Sequence, residues 1–412
     1  MNPLAVAQHW VTLPSPASPD DMPPSPATSV VSSKPYTFWK PIVWVLIIPL
    51  AFLVSVLLAK STQSFLSGRS TLLLDWKVHQ VSPIKLFFGR RSRQQSQQYP
   101  HIIEPSPGQP RSNLTLRDFL LHQDGVYLAM APSFFGFYGY FGALSAIDDA
   151  LSSDTTSDVS FLQSNQIKAV AGGSAGAMAA VLIATGVAPA KAAAFSATMT
   201  LDKFADPPGI CAAFRGNKFE DLMSTFMKQE QPDSSLLLED GILPVAVSGF
   251  DIRTLRTRIL SKGDMAQAAR ASATFPLLFQ PAVWENDDGD ESSTTSWLID
   301  GGVEDELGLM GLAAFDAEHP KRILNVLVGG FGSAGPPGPS QMPDGVVASS
   351  VLSVSIESTP QCGPHAMSNG PLATEAARMA MLASLDVPLY LGSEPGHYEL
   401  FIDTTDFIPP TD

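Results

Sequence analysis

The chain is poor in the residues that build sites on their own. Two cysteines in 412 residues, Cys211 and Cys362, are too few for a disulfide framework or a zinc centre, and leave open only a single bridge. Lysine and arginine number 25 against 40 aspartates and glutamates, a formal net charge of −15. That deficit argues against a nucleic-acid partner, since phosphate neutralisation demands clustered Lys and Arg. The acidic run ENDDGDESS (285–293) lacks the ligand spacing of a calcium loop and reads as a solvated hairpin tip before a strand. No metal or cofactor is therefore expected. Nor does any internal repeat appear.

What is present divides the chain into four parts. Residues 1–37, with LPSPASPDDMPPSPATSV, are rich in Pro and Ser without apolar period and read as disordered. Residues 38–60 follow, and from Ile42 to Ala59 they carry no charge, a length close to the ~20 residues that cross a bilayer. Trp39 and Trp44 suit the interface, and Pro49 is tolerated in a membrane helix. A buried soluble helix would show a polar face, and a cleaved signal would follow a shorter polar segment, so an uncleaved transmembrane anchor is the expectation. Residues 61–115 form a basic linker containing FFGRRSRQQSQQ, and 116–406 form the folded domain.

In that domain GVYLAMAP (125–132), IKAVAGG (167–173), LPVAVSGFD (243–251), SWLIDGG (296–302), RILNVLVGG (322–330) and VVASSVLSVSI (346–356) read as short apolar strands. Helical stretches fall at about 140–150, 175–186, 264–273 and 371–385. Apolar strands alternating with helices indicate an α/β fold, a mainly parallel sheet covered on both faces, with its site at the carboxyl ends of the strands.

One serine stands out there. Ser174, in GGSAG, lies between Gly172 and Gly176 where a strand gives way to a helix starting at Ala175. Gly-x-Ser-x-Gly alone is a common chance spacing and also describes a small-residue packing seam. The strand–turn–helix context favours a nucleophile elbow, with a strained serine and helix N–H groups aimed at a developing oxyanion. Asp300, before Gly301 and Gly302, ends another apolar strand at the same rim, although Asp-Gly is by itself an ordinary turn.

GGSAG followed by DGG, with MAQAARASATFPLLFQPAVW (265–284) between them, resembles the patatin-like phospholipase family. The intervening positions are Arg270, Ala271, Ser272, Pro276, Phe279 and Pro281. The resemblance implies a three-layer α/β/α sandwich and a serine–aspartate dyad without histidine, Ser174 carrying the acyl group and Asp300 taking its proton. It implies a carboxylic ester hydrolase acting on phospholipid, galactolipid or acylglycerol. A usable Asp300 base requires partial desolvation, since an ordinary aspartate has a pKa near 3.9.

The chain departs from the family at the oxyanion loop. Where members carry consecutive glycines it has APSFFGFYGYFGAL, leaving Phe135 and Gly136 as the candidate donors, or else an aromatic lipid-contacting loop. Two rivals stand beside the dyad. One is an α/β-hydrolase triad of Ser174, Asp300 and His397 (or His365); the other is a catalytically idle lipid-binding domain. Nothing in the sequence indicates an oligomeric state.

Lys34 and Lys40 precede the expected anchor, while Lys60, Arg69 and Lys77 follow it, so positive charge leans the folded domain to the cytosolic side. One glycosylation acceptor, Asn113-Leu114-Thr115, makes this measurable. Expressed in a eukaryotic cell, the protein should keep its gel mobility after glycosidase treatment. A glycosidase-sensitive band absent from Asn113→Gln would place the domain in the lumen.

Overall fold

The six apolar segments become six strands of one twelve-stranded sheet. The computed structural model describes residues 101–152, 160–210, 212–285, 295–329 and 336–405. The strands are β1 (His101–Ile103), β2 (Arg111–Thr115), β3 (Val126–Met130), β4 (Ile167–Gly173), β5 (Val245–Asp251), β6 (Arg256–Leu260), β7 (Ala282–Trp284), β8 (Ser296–Asp300), β9 (Lys321–Val328), β10 (Ala348–Glu357), β11 (Pro388–Leu391) and β12 (His397–Asp403). The helices are α1 (Leu116–Leu120), α2 (Phe137–Ser152), α3 (Ala175–Ala184), α4 (Pro189–Ala197), α5 (Leu201–Phe204), α6 (Asn217–Glu230), α7 (Met265–Ser272) and α8 (Gly370–Ser384).

Strand order is β2-β11-β12-β10-β9-β3-β4-β5-β8-β7, with β1 on β12 and β6 on β5. The centre, β12-β10-β9-β3-β4-β5, is parallel throughout. Every other pairing is antiparallel, so the sheet is mixed rather than mainly parallel. The central strands are apolar on both sides because both faces are buried. Towards the edges hairpins replace crossovers, which is why β6, β7, β11 and β12 did not stand out in the sequence.

The two faces differ. Leu128 and Met130 of β3, Leu324 and Val326 of β9, and Leu352 and Val354 of β10 join the main core, to which each of the eight helices also contributes buried apolar residues. Their alternates Ala129, Ala171, Ile323 and Val351 face a smaller cluster with Leu309, Leu312 and Val346. Among the described residues that second face carries no α-helix. A 3-10 turn, Met310–Ala314, and irregular chain cover it, so the expected α/β/α sandwich is helical on one side only. Small side chains at Ala129 and Ala171 let this thin layer sit close.

The sheet also begins earlier than the expected boundary at Leu116. Arg111–Thr115 pairs with β11 and His101–Ile103 with β12, so the last part of the 61–115 linker belongs to the fold. Thr115 then caps α1 in a reciprocal box with Asp118. The expected disordered segment 1–37 and anchor 38–60 lie outside the described residues, as does the acidic segment from Asn286 to Ser293. Among the described residues no helix is long and apolar enough to cross a membrane.

A chain starting at Leu116 loses two strand pairings and the Thr115 cap, the cap alone contributing about 1 kcal/mol. Its melting temperature should fall by at least about 5 °C relative to a chain starting at Pro100. Equal melting temperatures would show that β1 and β2 are dispensable additions.

Candidate active site

Strand β5 brings together two residues that lie far apart in sequence. Val247 has Gly172 of β4 on one edge and Leu260 of β6 on the other. Phe250, three residues on, has Ile299 of β8 and Thr257 of β6. β6 therefore keeps one edge, and β4 and β8 share the opposite edge end to end. β4 stops at Gly173 opposite Ser248, and the antiparallel β8 stops at Asp300 opposite Gly249. Their ends face each other at consecutive positions of β5.

At that junction Ser174 Oγ donates to Asp300 Oδ2 at 2.7 Å. Ser174 has φ 52° and ψ −119°, a left-handed conformation that glycine, not serine, prefers. It is the N-cap position of α3, yet its hydroxyl caps nothing, being committed to Asp300. Two close approaches hold the elbow. A Cβ on Gly172 would sit 2.4 Å from the Gly176 carbonyl carbon, and one on Gly176 would sit 2.2 Å from the Met130 carbonyl oxygen. Only glycine at both positions lets α3 start against β3 and β4.

Asp300 is buried, with 7% of its surface exposed. Burial pushes its carboxyl up from the usual aspartate range to about 6, against the hydrogen bonds from Ser174 and the Gly302 N–H, which pull it down. The Gly302 N–H reaches Oδ1 at 2.9 Å, and Gly301 lies tight against the Ser248 carbonyl. The desolvation read as a requirement from sequence is thus present.

Ser174, Ala175 and Asp300 open on a cavity of about 60 Å³ lined by seven phenylalanines, with Asp300 its one ionisable group. Phe134 and Phe135 come from the β3–α2 loop and Phe137 from the start of α2, Phe275 and Phe279 from the segment after α7, and Phe204 and Phe219 from α5 and α6. Rings meet across these segments: Phe134 with Phe275 at 5.0 Å, and Phe219 with Phe279 at 5.9 Å. Asp206 fixes the entry of α6 by accepting the amides of Arg215, Gly216, Asn217 and Lys218. Arg270, buried in α7, binds the carbonyls of Arg215 and Gln280 and so ties the walls together.

Phe135 takes φ 54° in the loop expected to supply oxyanion donors. Among the described residues the amides of Phe135, Gly136 and Ala175 meet no acceptor. Of these, Phe135 and Ala175 line the cavity.

No imidazole joins Ser174 and Asp300. His397 begins β12 in register, through Val351, Ile323 and Tyr127, with Ala169 of β4. Ser174 lies five residues beyond Ala169 and four strands across, which puts the two roughly 25 Å apart at opposite ends of the sheet. His397 instead contacts Glu399 at 3.3 Å. His365 is exposed after β10, and both Asp300 oxygens are already taken by Ser174 and Gly302. Among the described residues no His, Cys, Asp and Glu group could hold a metal.

Sequence reasoning missed Ser272, Thr274 and most of the aromatic wall. Ser272 was visible within the Arg-Ala-Ser segment but carried no assigned role. Phe204 and Phe219 carried no signal, because their proximity to Ser174 depends on how the 199–230 helices fold back.

Residues 136–313 match the family model of patatin-like phospholipases, a stretch containing both Ser174 and Asp300. Among solved structures the chain is similar to VipD from Legionella pneumophila, at 12% identity and TM-score 0.40 over 72% of each chain. It is also similar to the heterodimeric ExoU–SpcU complex from the type III secretion system of Pseudomonas aeruginosa, at 15% identity and TM-score 0.35. That match covers 73% of this chain and 63% of the other. No curated protein matches.

The pH dependence of the serine follows from Asp300. With a carboxyl pKa of about 6, the labelling of Ser174 by a fluorophosphonate should rise about tenfold per unit up to pH 6 and level off above it. Stability runs the opposite way. The folded pKa lies above the unfolded one, so the cost of ionising buried Asp300 is absent below about pH 4 and complete above about pH 6. A labelling rate flat from pH 5 to 8 would contradict the assignment.

Proposed function

We propose that the protein, whose residues 136–313 match the family model of patatin-like phospholipases, cleaves carboxylic esters of lipids through a Ser174–Asp300 dyad and an acyl-enzyme. The observation that carries this reading is the 2.7 Å hydrogen bond between a strained serine and a buried, basic aspartate at the floor of an aromatic cavity.

Ser174 Oγ attacks the ester carbonyl carbon as its proton passes to Asp300 Oδ2. The negative oxygen of the tetrahedral intermediate is received by the Ala175 amide at the start of α3 and by the Phe135 and Gly136 amides. Collapse breaks the bond to the alcohol, and Asp300 returns the proton to the departing oxygen. Water then attacks the acyl-serine, Asp300 takes its proton and delivers it to Ser174, and the fatty acid leaves. The base is a carboxylate rather than an imidazole, and its raised pKa makes the direct transfer workable.

The cavity supports an apolar acyl group, since it offers aromatic surface and no charge besides Asp300. Its volume of about 60 Å³ accommodates a few water molecules rather than a fatty chain. Phe275, 39% exposed and packed on Phe134, must turn aside for a chain to enter. An anchor at 38–60, followed by a basic linker and a cytosolic domain, would hold this opening beside the bilayer at high effective concentration.

The position of His397 at the far end of the sheet argues against a triad. Ser174→Ala and Asp300→Asn should each lose at least about 10³-fold in ester hydrolysis, while His397→Ala and His365→Ala keep most of theirs. Hydrolysis and fluorophosphonate labelling of the purified protein measure this. A His397→Ala variant as inactive as Asp300→Asn would restore the triad. A wild-type protein that neither labels nor hydrolyses would indicate an idle lipid-binding domain.

A further inference from the structure

The ladder between β4 and β5 ends in an unusual way. In this parallel pair the Val170 N–H bonds the Pro244 carbonyl. Such a ladder repeats every two residues, so its later bonds fall at Gly172 N–H to Ala246 and at Ser174 N–H to the Ser248 carbonyl. The last of these is not made directly. The Ser174 N–H donates to Ser272 Oγ at 2.9 Å, and the Ser272 hydroxyl donates to the Ser248 carbonyl at 2.6 Å. One oxygen has been inserted into the ladder where the chain must leave the sheet.

Ser272 is fully buried at the last position of α7, whose next turn also reaches the second half of the dyad. The Thr274 carbonyl accepts the Asp300 N–H at 2.9 Å, and Thr274 Oγ1 ties back to the Arg270 carbonyl. Ser272 and Thr274, two residues apart in one turn, therefore grip the amide of Ser174 through a side chain and the amide of Asp300 through the backbone.

We infer that Ser272 is a positioning residue whose hydroxyl, wedged between the Ser174 N–H and the Ser248 carbonyl, holds the elbow off β5 so that Ser174 Oγ meets Asp300. Two consequences follow. Without the wedge, Ser174 N–H and Ser248 C=O can close the ladder directly, which draws Ser174 back towards a strand conformation and withdraws Oγ from the carboxylate. With it, the Ser174 amide is already spent, so the oxyanion receives no hydrogen bond from the nucleophile's own N–H. The donors are left to Ala175 and the Phe135–Gly136 loop.

The inference rests on the Ser174–Asp300 reading, and Ser272→Ala tests it alongside Ser174→Ala. A displacement of about 1 Å at the nucleophile lowers turnover on the order of 100-fold, so kcat should fall by about that factor with KM within about twofold. The pH profile distinguishes positioning from a general loss of structure. The Ser174 hydrogen bond opposes the upward shift of the Asp300 pKa, so weakening it should move the acid limb of the profile to higher pH. Should Ser272→Ala not fold, Ser272→Cys keeps a side chain of similar size with a poor hydrogen-bonding group, and the same fall in kcat is expected. A folded variant with wild-type kcat, or with a change in KM alone, overturns the inference while an inactive Ser174→Ala leaves the dyad standing. An active Ser174→Ala removes the dyad and this inference with it.

Discussion

The site depends on a sharing of one strand edge. β4 and β8 approach from opposite directions along the same side of β5 and stop one register position apart, at Ser248 and Gly249. Whatever follows the last residue of β4 must then face whatever ends β8. The 2.7 Å contact of Ser174 with Asp300 is the outcome, and 126 residues of separation cease to matter. Two glycines let the chain turn there, since side chains at 172 or 176 would collide with backbone.

The surroundings change the chemistry of that contact. Seven phenylalanines leave the carboxylate little water, which raises its proton affinity and strengthens each remaining dipole nearby. The amides at Phe135, Gly136 and Ala175 stay without acceptors. Unpaired donors near an apolar cavity are costly in a resting fold, and in the proposed reaction that cost is returned when an anionic oxygen forms beside them.

The centre of the fold was legible because its physics is local. Apolar runs such as IKAVAGG and RILNVLVGG announce strands buried on both faces, and the small residues after Ser174 announce a helix pressed on a sheet. The edges were not legible. β1 and β2 lie in a stretch whose basic, polar composition resembles a tether, and only pairing with β11 and β12 makes them strands. The one-sided helical cover was hidden too, since Gly- and Pro-rich chain between β8 and β10 reads equally well as connection or as a layer. At the site, Ser174 and Asp300 carried motifs, whereas Ser272 acts through a ladder that no sequence spacing reveals. His397, following Asp300 in an order that suits a triad, shows the converse: chain order says nothing about which end of a strand a residue occupies.

The backbone of Ser174 sets the needs of the fold against those of the proposed reaction at a single position. Its φ of 52° suits a residue without a side chain, so glycine there would relieve strain and remove the hydroxyl that meets Asp300. Heat tolerance and chemistry thus pull position 174 towards different amino acids. A library screened for thermal survival alone would accumulate glycine at 174 and yield robust, inert protein. Only selection that reads turnover at each round would retain serine, and the extra stability would have to come from elsewhere in the chain.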